Sequence, residues 1–317
     1  MIRFRRVNYW LALAGVNLLW ASQFPAYKIA GEFTDPVSMN FWVLAFACAM
    51  LVPFWWRQHR PAGAPTNSAR SRISRRDLGR FLILGLCGIL PATVFMSWGL
   101  ERCGASVAAI LTLTIPIWMA FLSLPLLGER MNRLHWISLF IALGGMALLT
   151  VVPSVVQEGR PTRTADALLL LGACAGSAFY NGYSKKLLAR WSELDVLMGG
   201  CLTGCLACAV LSLNTARPFY DVAGWPAKVW ISVAIIGALT WAIGTVAFLW
   251  VLNRLRAVKV AVSIYLMPLF GVLLSAITLN ERLTPVQSLA ALVVTAASIL
   301  TTLVGENPKP ESLPPGH

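Results

Sequence analysis

Apolar residues occupy this chain in blocks of about twenty, separated by short polar intervals, and the blocks cover nearly its whole length. A helix of that length crosses the roughly 30 Å hydrocarbon core of a bilayer. Ten spans are predicted, over residues 8–29, 36–56, 79–100, 105–127, 133–152, 166–187, 195–213, 229–251, 257–279 and 285–304. The fold class this implies is all-α integral membrane, with ten transmembrane helices. The start, Met1-Ile2-Arg3-Phe4-Arg5-Arg6, has the basic character of a signal peptide. Its apolar run continues from Tyr9 to Ile29, beyond the roughly 7 to 15 residues of a signal core, so it is read as an uncleaved first span. The proline-rich tail, 306–317, is expected to be disordered.

One stretch occurs twice. Thr114-Ile115-Pro116-Ile117-Trp118 runs on to Leu127-Gly128-Glu129-Arg130, and Leu266-Met267-Pro268-Leu269-Phe270 runs on to Leu279-Asn280-Glu281-Arg282. Pro268 follows Pro116 by 152 residues, and Glu281 follows Glu129 by the same 152. At that offset Trp98 meets Trp250, Leu100 meets Leu252, Arg102 meets Arg254, Ala105 meets Ala257 and Ala109 meets Ala261. The chain therefore divides into a first five-helix repeat at 1–153, with a basic loop at 57–77, and a second at 165–305. Five is odd, so the second repeat enters the membrane inverted. Inverted repeats are the architecture of many secondary transporters, with a site near the midplane and alternating access by rocking of one half on the other.

Composition narrows the class. Hydrophobic residues make up 57% and charged residues 12%, with a mean hydropathy of +0.69. The charged share is about half that of soluble domains. The net charge of +13 is explained by basic residues flanking the spans, and no nucleic-acid partner is inferred. On the ten-span map, 19 of the 26 Lys and Arg fall on the side that holds both termini, which places both termini in the cytoplasm. The seven cysteines nearly all lie in apolar spans as small packing residues; Cys205 and Cys208 have the CxxC form but no histidine or carboxylate neighbour, and no metal or cofactor is expected.

Several motifs resemble the drug/metabolite transporter superfamily, in its ten-helix branch with two EamA domains. Trp20-Ala21-Ser22-Gln23-Phe24 with Lys28 is similar to the family's Trp-Gly-Ser-Asn-Phe and following lysine. Gly128-Glu129-Arg130, with Gly144-Gly145 after it, and Asn280-Glu281-Arg282 with Leu283-Thr284-Pro285 are similar to its Glu-containing turns before the fifth and tenth helices. Ala21 and Gln23 stand where Gly and Asn are commoner, Asn40-Phe41-Trp42 lacks an arginine often seen there, and Ala296 replaces a glycine. The resemblance implies an amino-acid or metabolite exporter whose cavity is lined mainly by the first, third, fourth, sixth, eighth and ninth helices. On those helices it points to Trp98, Trp118, Trp241 and Tyr265, with Trp241, Thr245 and Phe248 sharing a face.

The residues supply further candidates. Asn17, Trp20, Gln23 and Tyr27 are spaced to share one face of the first span, as a wall of a solute pathway or as interhelical hydrogen bonds and interfacial anchors. In the sixth span Ser177, Tyr180, Asn181 and Ser184 share a face, and aligning Lys28 with Lys186 sets Gln23 against Asn181. Two amides so placed offer both donors and acceptors to a zwitterion or hydroxylated metabolite. Lys28, Lys185 and Lys186 read as snorkelling interfacial residues. Pro25, Pro116 and Pro268 are hinge candidates, and Pro116 and Pro268 would free the carbonyls of Thr112 and Ile264. Glu129-Arg130 and Glu281-Arg282 read as caps or ion pairs at opposite membrane faces. Gly172-x-x-x-Gly176 and Gly200-x-x-x-Gly204 read as close helix contacts, within a monomer or at a weak homodimer contact.

All thirteen Asp and Glu map to loops or span ends, which argues against a buried proton-coupling carboxylate and for facilitated diffusion or exchange. No catalytic constellation appears within the spans, so no enzyme is inferred. The expected function is a bacterial inner-membrane permease that exports a small polar or aromatic metabolite such as an amino acid by alternating access. The alternatives are a proton-coupled multidrug efflux pump and a phosphorylated-metabolite antiporter, the latter disfavoured because no buried basic pair is visible. Its partners are then a small-molecule solute and the lipid bilayer.

Overall fold

A computed structural model of the chain describes residues 2–59, 74–102, 112, 114–128, 133, 136–137, 140–141, 144, 164–215, 217–267, 269–271 and 274. All its regular elements are helical among the described residues. They are α1 (Ile2–Ala21), α2 (Gln23–Gly31), α3 (Pro36–His59), α4 (Arg75–Arg102), α5 (Ile115–Leu127), α6 (Thr164–Leu188), α7 (Glu193–Ser212), α8 (Ala227–Arg254) and α9 (Ala257–Ser263). Among the described residues α3, α4, α7 and α8 are long and apolar enough to cross a membrane. The pair Glu281-Arg282, the pair Glu129-Arg130, Pro268 and the tail lie outside the described residues.

The first apolar block is two helices rather than one. α1 stops at Ala21, the Ser22 amide reaches back only to the Leu19 carbonyl at 3.3 Å, and α2 begins at Gln23. Pro25 lies four residues past Ala21 and has no N–H to donate to the Ala21 carbonyl, which accounts for the break. α5 ends on Gly128, whose φ of 69° is the left-handed conformation of a helix C-terminus, with its amide on the Leu124 carbonyl at 3.0 Å. Pro116 is the second residue of α5, behind a turn at Thr114.

Both long helices α4 and α7 start with a capping box. Ser74 caps the Asp77 amide and Ser192 caps the Asp195 amide, each hydroxyl accepting at 3.2 Å while the carboxylate accepts from the serine. Around these caps one end of the bundle is tied together. Asp77 is fully buried between Arg80 at 3.1 Å and Arg190 at 3.4 Å. Asp195 Oδ1 accepts from Trp55 at 2.9 Å and lies 3.2 Å from His59 Nε2, and Gln58 donates to Ser192 Oγ at 2.7 Å. Ser192→Ala removes a cap and an interhelical bond together. It is expected to cost about 1 kcal/mol, read as a lower melting temperature of the purified protein. The opposite end is tied by Ser38 Oγ to the Arg217 carbonyl at 2.5 Å, Trp42 Nε1 to the Phe219 carbonyl at 2.7 Å, and Lys228 to Glu32 at 3.6 Å.

Between these ends, three stretches widen to π-helix pitch: Leu84–Ile89 and Pro91–Phe95 in α4, and Ile235–Gly244 in α8. At the 152-residue offset Leu84–Ile89 falls inside the α8 stretch. Packing is reciprocal as well. α1 lies on the wide part of α8 while α6 lies on the wide parts of α4, and α3 packs on α7 and on the wide part of α8 while α7 packs on the first wide part of α4. Two glycines make the close approaches possible. A Cβ on Gly85 would sit 2.1 Å from Thr203 Oγ1 of α7, and one on Gly237, 152 residues later, 2.8 Å from the Val43 carbonyl of α3. Both GxxxG motifs pack within the chain. Gly172 and Gly176 rest on Phe95 and Pro91, Gly200 and Gly204 on Ile89.

Candidate functional site

A narrow cavity of about 90 Å³ lies where the α1–α2 break meets the mid-length of α4, α6 and α8. The break supplies Trp20 and Gln23, α6 supplies Ser177 and Tyr180, and the wide turn of α8 supplies Trp241 with Thr240 and Thr245 beside it. Ala92, Met96, Ile115, Ile264 and Met267 close the remaining walls. None of these lining residues is ionisable at neutral pH, among the described residues.

Local hydrogen bonding fixes the polar walls. Trp20 Nε1 donates to the Thr240 carbonyl at 3.2 Å, and the Thr240 hydroxyl donates back to the Leu19 carbonyl at 3.2 Å, so the break in the first block is stitched to α8. The Thr240 carbonyl also accepts from the Thr245 hydroxyl at 3.0 Å, a bond the wide turn permits. The Trp20 ring lies 4.7 Å from Phe248, and Tyr180 meets Trp241 edge to face at 6.1 Å. Gln23 is loosely held, with its amide nitrogen 3.8 Å from the Met267 sulfur. The Tyr180 hydroxyl is buried with no hydrogen bond formed to the described residues. A buried phenol left this way is costly unless a solute or water meets it.

Six of the sequence-derived candidates are thus brought together: Trp20, Gln23, Ser177, Tyr180, Trp241 and Thr245. The others lie around them. Asn17 is fully buried, its amide on the Leu13 carbonyl at 2.7 Å and its Oδ1 unpartnered. Asn181 and Ser184 are buried in α6 without lining the cavity, and Thr112 and Tyr265 are buried outside it. Trp98 stacks on Phe95 with Arg102 above its ring, and Trp118 is exposed on α5. Pro25 is buried in α2 just past the break. Sequence reading passed over Met96, which carries no distinguishing chemistry; Ile115 and Met267 entered it only as members of the repeated proline motif, and Ile264 as the residue whose carbonyl Pro268 would free. Ala92 had a signal, as the 152-residue counterpart of Gly244 against which Trp20 rests.

A second cavity, about 310 Å³, lies one turn along the same seam between α2 and α4. Tyr27 lines it and donates to Asn40 Oδ1 at 2.6 Å; Asn40 Nδ2 donates to Ser97 Oγ at 2.8 Å, which donates to the Thr93 carbonyl at 2.9 Å. Phe24, Met267 and Leu100 belong to an apolar cluster between the two cavities.

Comparison with known proteins settles the family. A profile described as the EamA-like transporter family matches residues 8–151 and again 165–303. The chain belongs to that family. Among curated EamA-like relatives, a probable terminal-alkyne amino-acid exporter of Streptantibioticus cattleyicolor is 26% identical over 85% of this chain and 85% of its own. An uncharacterized transporter of Archaeoglobus fulgidus is 21% identical over 87% of this chain and 91% of its own, and the uncharacterized transporter YoaV of Bacillus subtilis is 21% identical over 93% and 97%. A crystal structure of a protein 17% identical superposes with a TM-score of 0.74 over 94% of this chain and 97% of that one, a likeness of fold. EamA-like membership and relatives named as transporters make this a membrane transporter of small solutes and not an enzyme.

Proposed function

We propose that the chain is an inner-membrane permease that exports an amino acid or a similar small polar or aromatic solute through the cavity at the α1–α2 break. The observation that carries this reading is the cavity's make-up: rings of Trp20, Tyr180 and Trp241 beside the Gln23 amide, with no ionised side chain among the described residues, contributed by both repeats. Aromatic faces hold an apolar side chain, and the Gln23 amide and the Tyr180 phenol offer neutral donors and acceptors to its polar end. The amino-acid exporter among the relatives supports the substrate class.

Two inverted five-helix repeats, 1–153 and 165–305, with both termini cytoplasmic, account for the reciprocal packing and for the wide turns recurring at 152 residues. Alternating access follows from that symmetry, because interchangeable halves can open to either face at similar energy. At about 90 Å³ the cavity holds roughly three waters, so the state described is closed around its centre and must widen to admit solute.

Export is tested by expressing the chain in a host sensitive to toxic amino-acid and nucleobase analogues, then measuring flux of the corresponding natural solute in proteoliposomes with and without a pH gradient. Resistance with gradient-independent flux is expected. Resistance only to large cationic drugs, with flux that collapses when the gradient is removed, would replace this reading with proton-coupled drug efflux.

A further inference from the structure

The larger cavity differs from the central one in the property that matters most for an amino acid. Among the described residues the central cavity holds no charge, so a zwitterion seated there meets no ionic partner from them, at a desolvation cost. The larger cavity is bordered by Lys28, Glu32 and Glu101, with Phe24, Met39 and Leu100 as its apolar floor. The seam between α2 and α4 serves both cavities in register. Gln23 faces one and Phe24 the other, and Met96 faces one and Ser97 the other. A solute leaving the central cavity along this seam therefore passes the contact of Phe24, Leu100 and Met267 and enters the larger cavity directly.

We propose that the larger cavity is a second solute site, which takes the charged head of an amino acid with an apolar side chain on its way out. The proposal rests on the permease reading above. Lys28 meets the carboxylate, Glu101 meets the ammonium, and the side chain lies on Phe24, Met39 and Leu100. Glu32 is a poorer choice for the ammonium because it lies 3.6 Å from Lys228, whose own ammonium sits 3.9 Å from the Phe33 ring centre. The Tyr27, Asn40 and Ser97 relay has its bonds satisfied inside the protein, so it stiffens the wall and leaves recognition to the charges. Opposite charges on the two sides of one cavity select a zwitterion over either ion alone. Phe24 is seated so tightly against the ninth span that a Cβ on Gly271 would come within 2.8 Å of its ring, which fits a partition that must move for solute to pass.

Gly31 borders this cavity, and a side chain there meets nothing within 4 Å, so Gly31→Cys provides a reporter. The full-length variant is labelled with a membrane-impermeant maleimide in the presence of leucine, leucinamide or 4-methylpentanoate, against the unsubstituted protein as background. Leucine is expected to slow labelling, while the two analogues, each lacking one charge, need about tenfold higher concentration for the same protection. Lys28→Gln and Glu101→Gln on the same background are expected to raise the leucine requirement by a similar factor. Equal protection by all three compounds, or by none, overturns the site even if the two charge variants fold poorly. Leucine counterflow in proteoliposomes separates the two readings. Flux without protection removes the second site and keeps the permease, whereas protection without flux keeps the site and removes leucine transport.

Discussion

Gly237→Ala is expected to yield little stable protein, and Gly85→Ala to do the same, although each adds one methyl group. At Gly237 the new carbon would stand 2.8 Å from the backbone oxygen of Val43 and 3.1 Å from Phe46 Cβ, so α3 and α8 must separate. At Gly85 it would displace the Thr203 hydroxyl, which donates to the Phe81 carbonyl at 2.9 Å, and would approach the Gly204 amide nitrogen to 2.9 Å. Neither obstacle is the end of a flexible side chain free to swing away. The cost is put at about 3 kcal/mol for each, the upper end of overpacking, against a total stability of about 5 to 15 kcal/mol. Thermal melts and size-exclusion profiles of the purified variants read this directly. An unchanged melting temperature for both would mean that these helices do not meet as closely as described.

Gln23→Leu is expected to raise the half-saturation of solute flux by at least about tenfold with normal expression, the loss of one polar contact to an otherwise apolar pocket. Asn181→Ala should leave the half-saturation unchanged, because its amide is buried at 4% exposure away from the cavity. The two amides looked equivalent in the sequence, each in a matching place on the first and sixth spans. In the fold, the α6 residues presented to the cavity are Ser177 and Tyr180. If Asn181→Ala weakened flux and Gln23→Leu did not, the solute path would lie on the other side of α6.

Much of the organisation is legible in the sequence alone. Hydropathy marks the long helices because burial in lipid is a property of each segment's own residues, and the 152-residue spacing marks a duplicated unit without reference to contacts. Pro25 announced the break at Ser22 because a missing N–H acts within one turn of its own helix. The tryptophans were less readable: Trp20 and Trp241 line the cavity, while Trp98 stacks on Phe95 and Trp118 faces outward, and nothing in their spacing separates the pairs.

The sequence by itself determined that this chain is a helical membrane protein with a repeated half, and it carried enough motif to point to its family. Only the tertiary structure decided which faces of the helices look inward, that Gly85 and Gly237 each lie against the backbone of a neighbouring helix, and that, among the described residues, an uncharged cavity at Gln23 adjoins a charged one at Lys28 and Glu101. The reason is physical. In a bilayer the lipid-facing and protein-facing sides of a helix are both apolar, so the periodicity that reveals the buried face of a soluble helix is lost, and facing is settled by packing against neighbours.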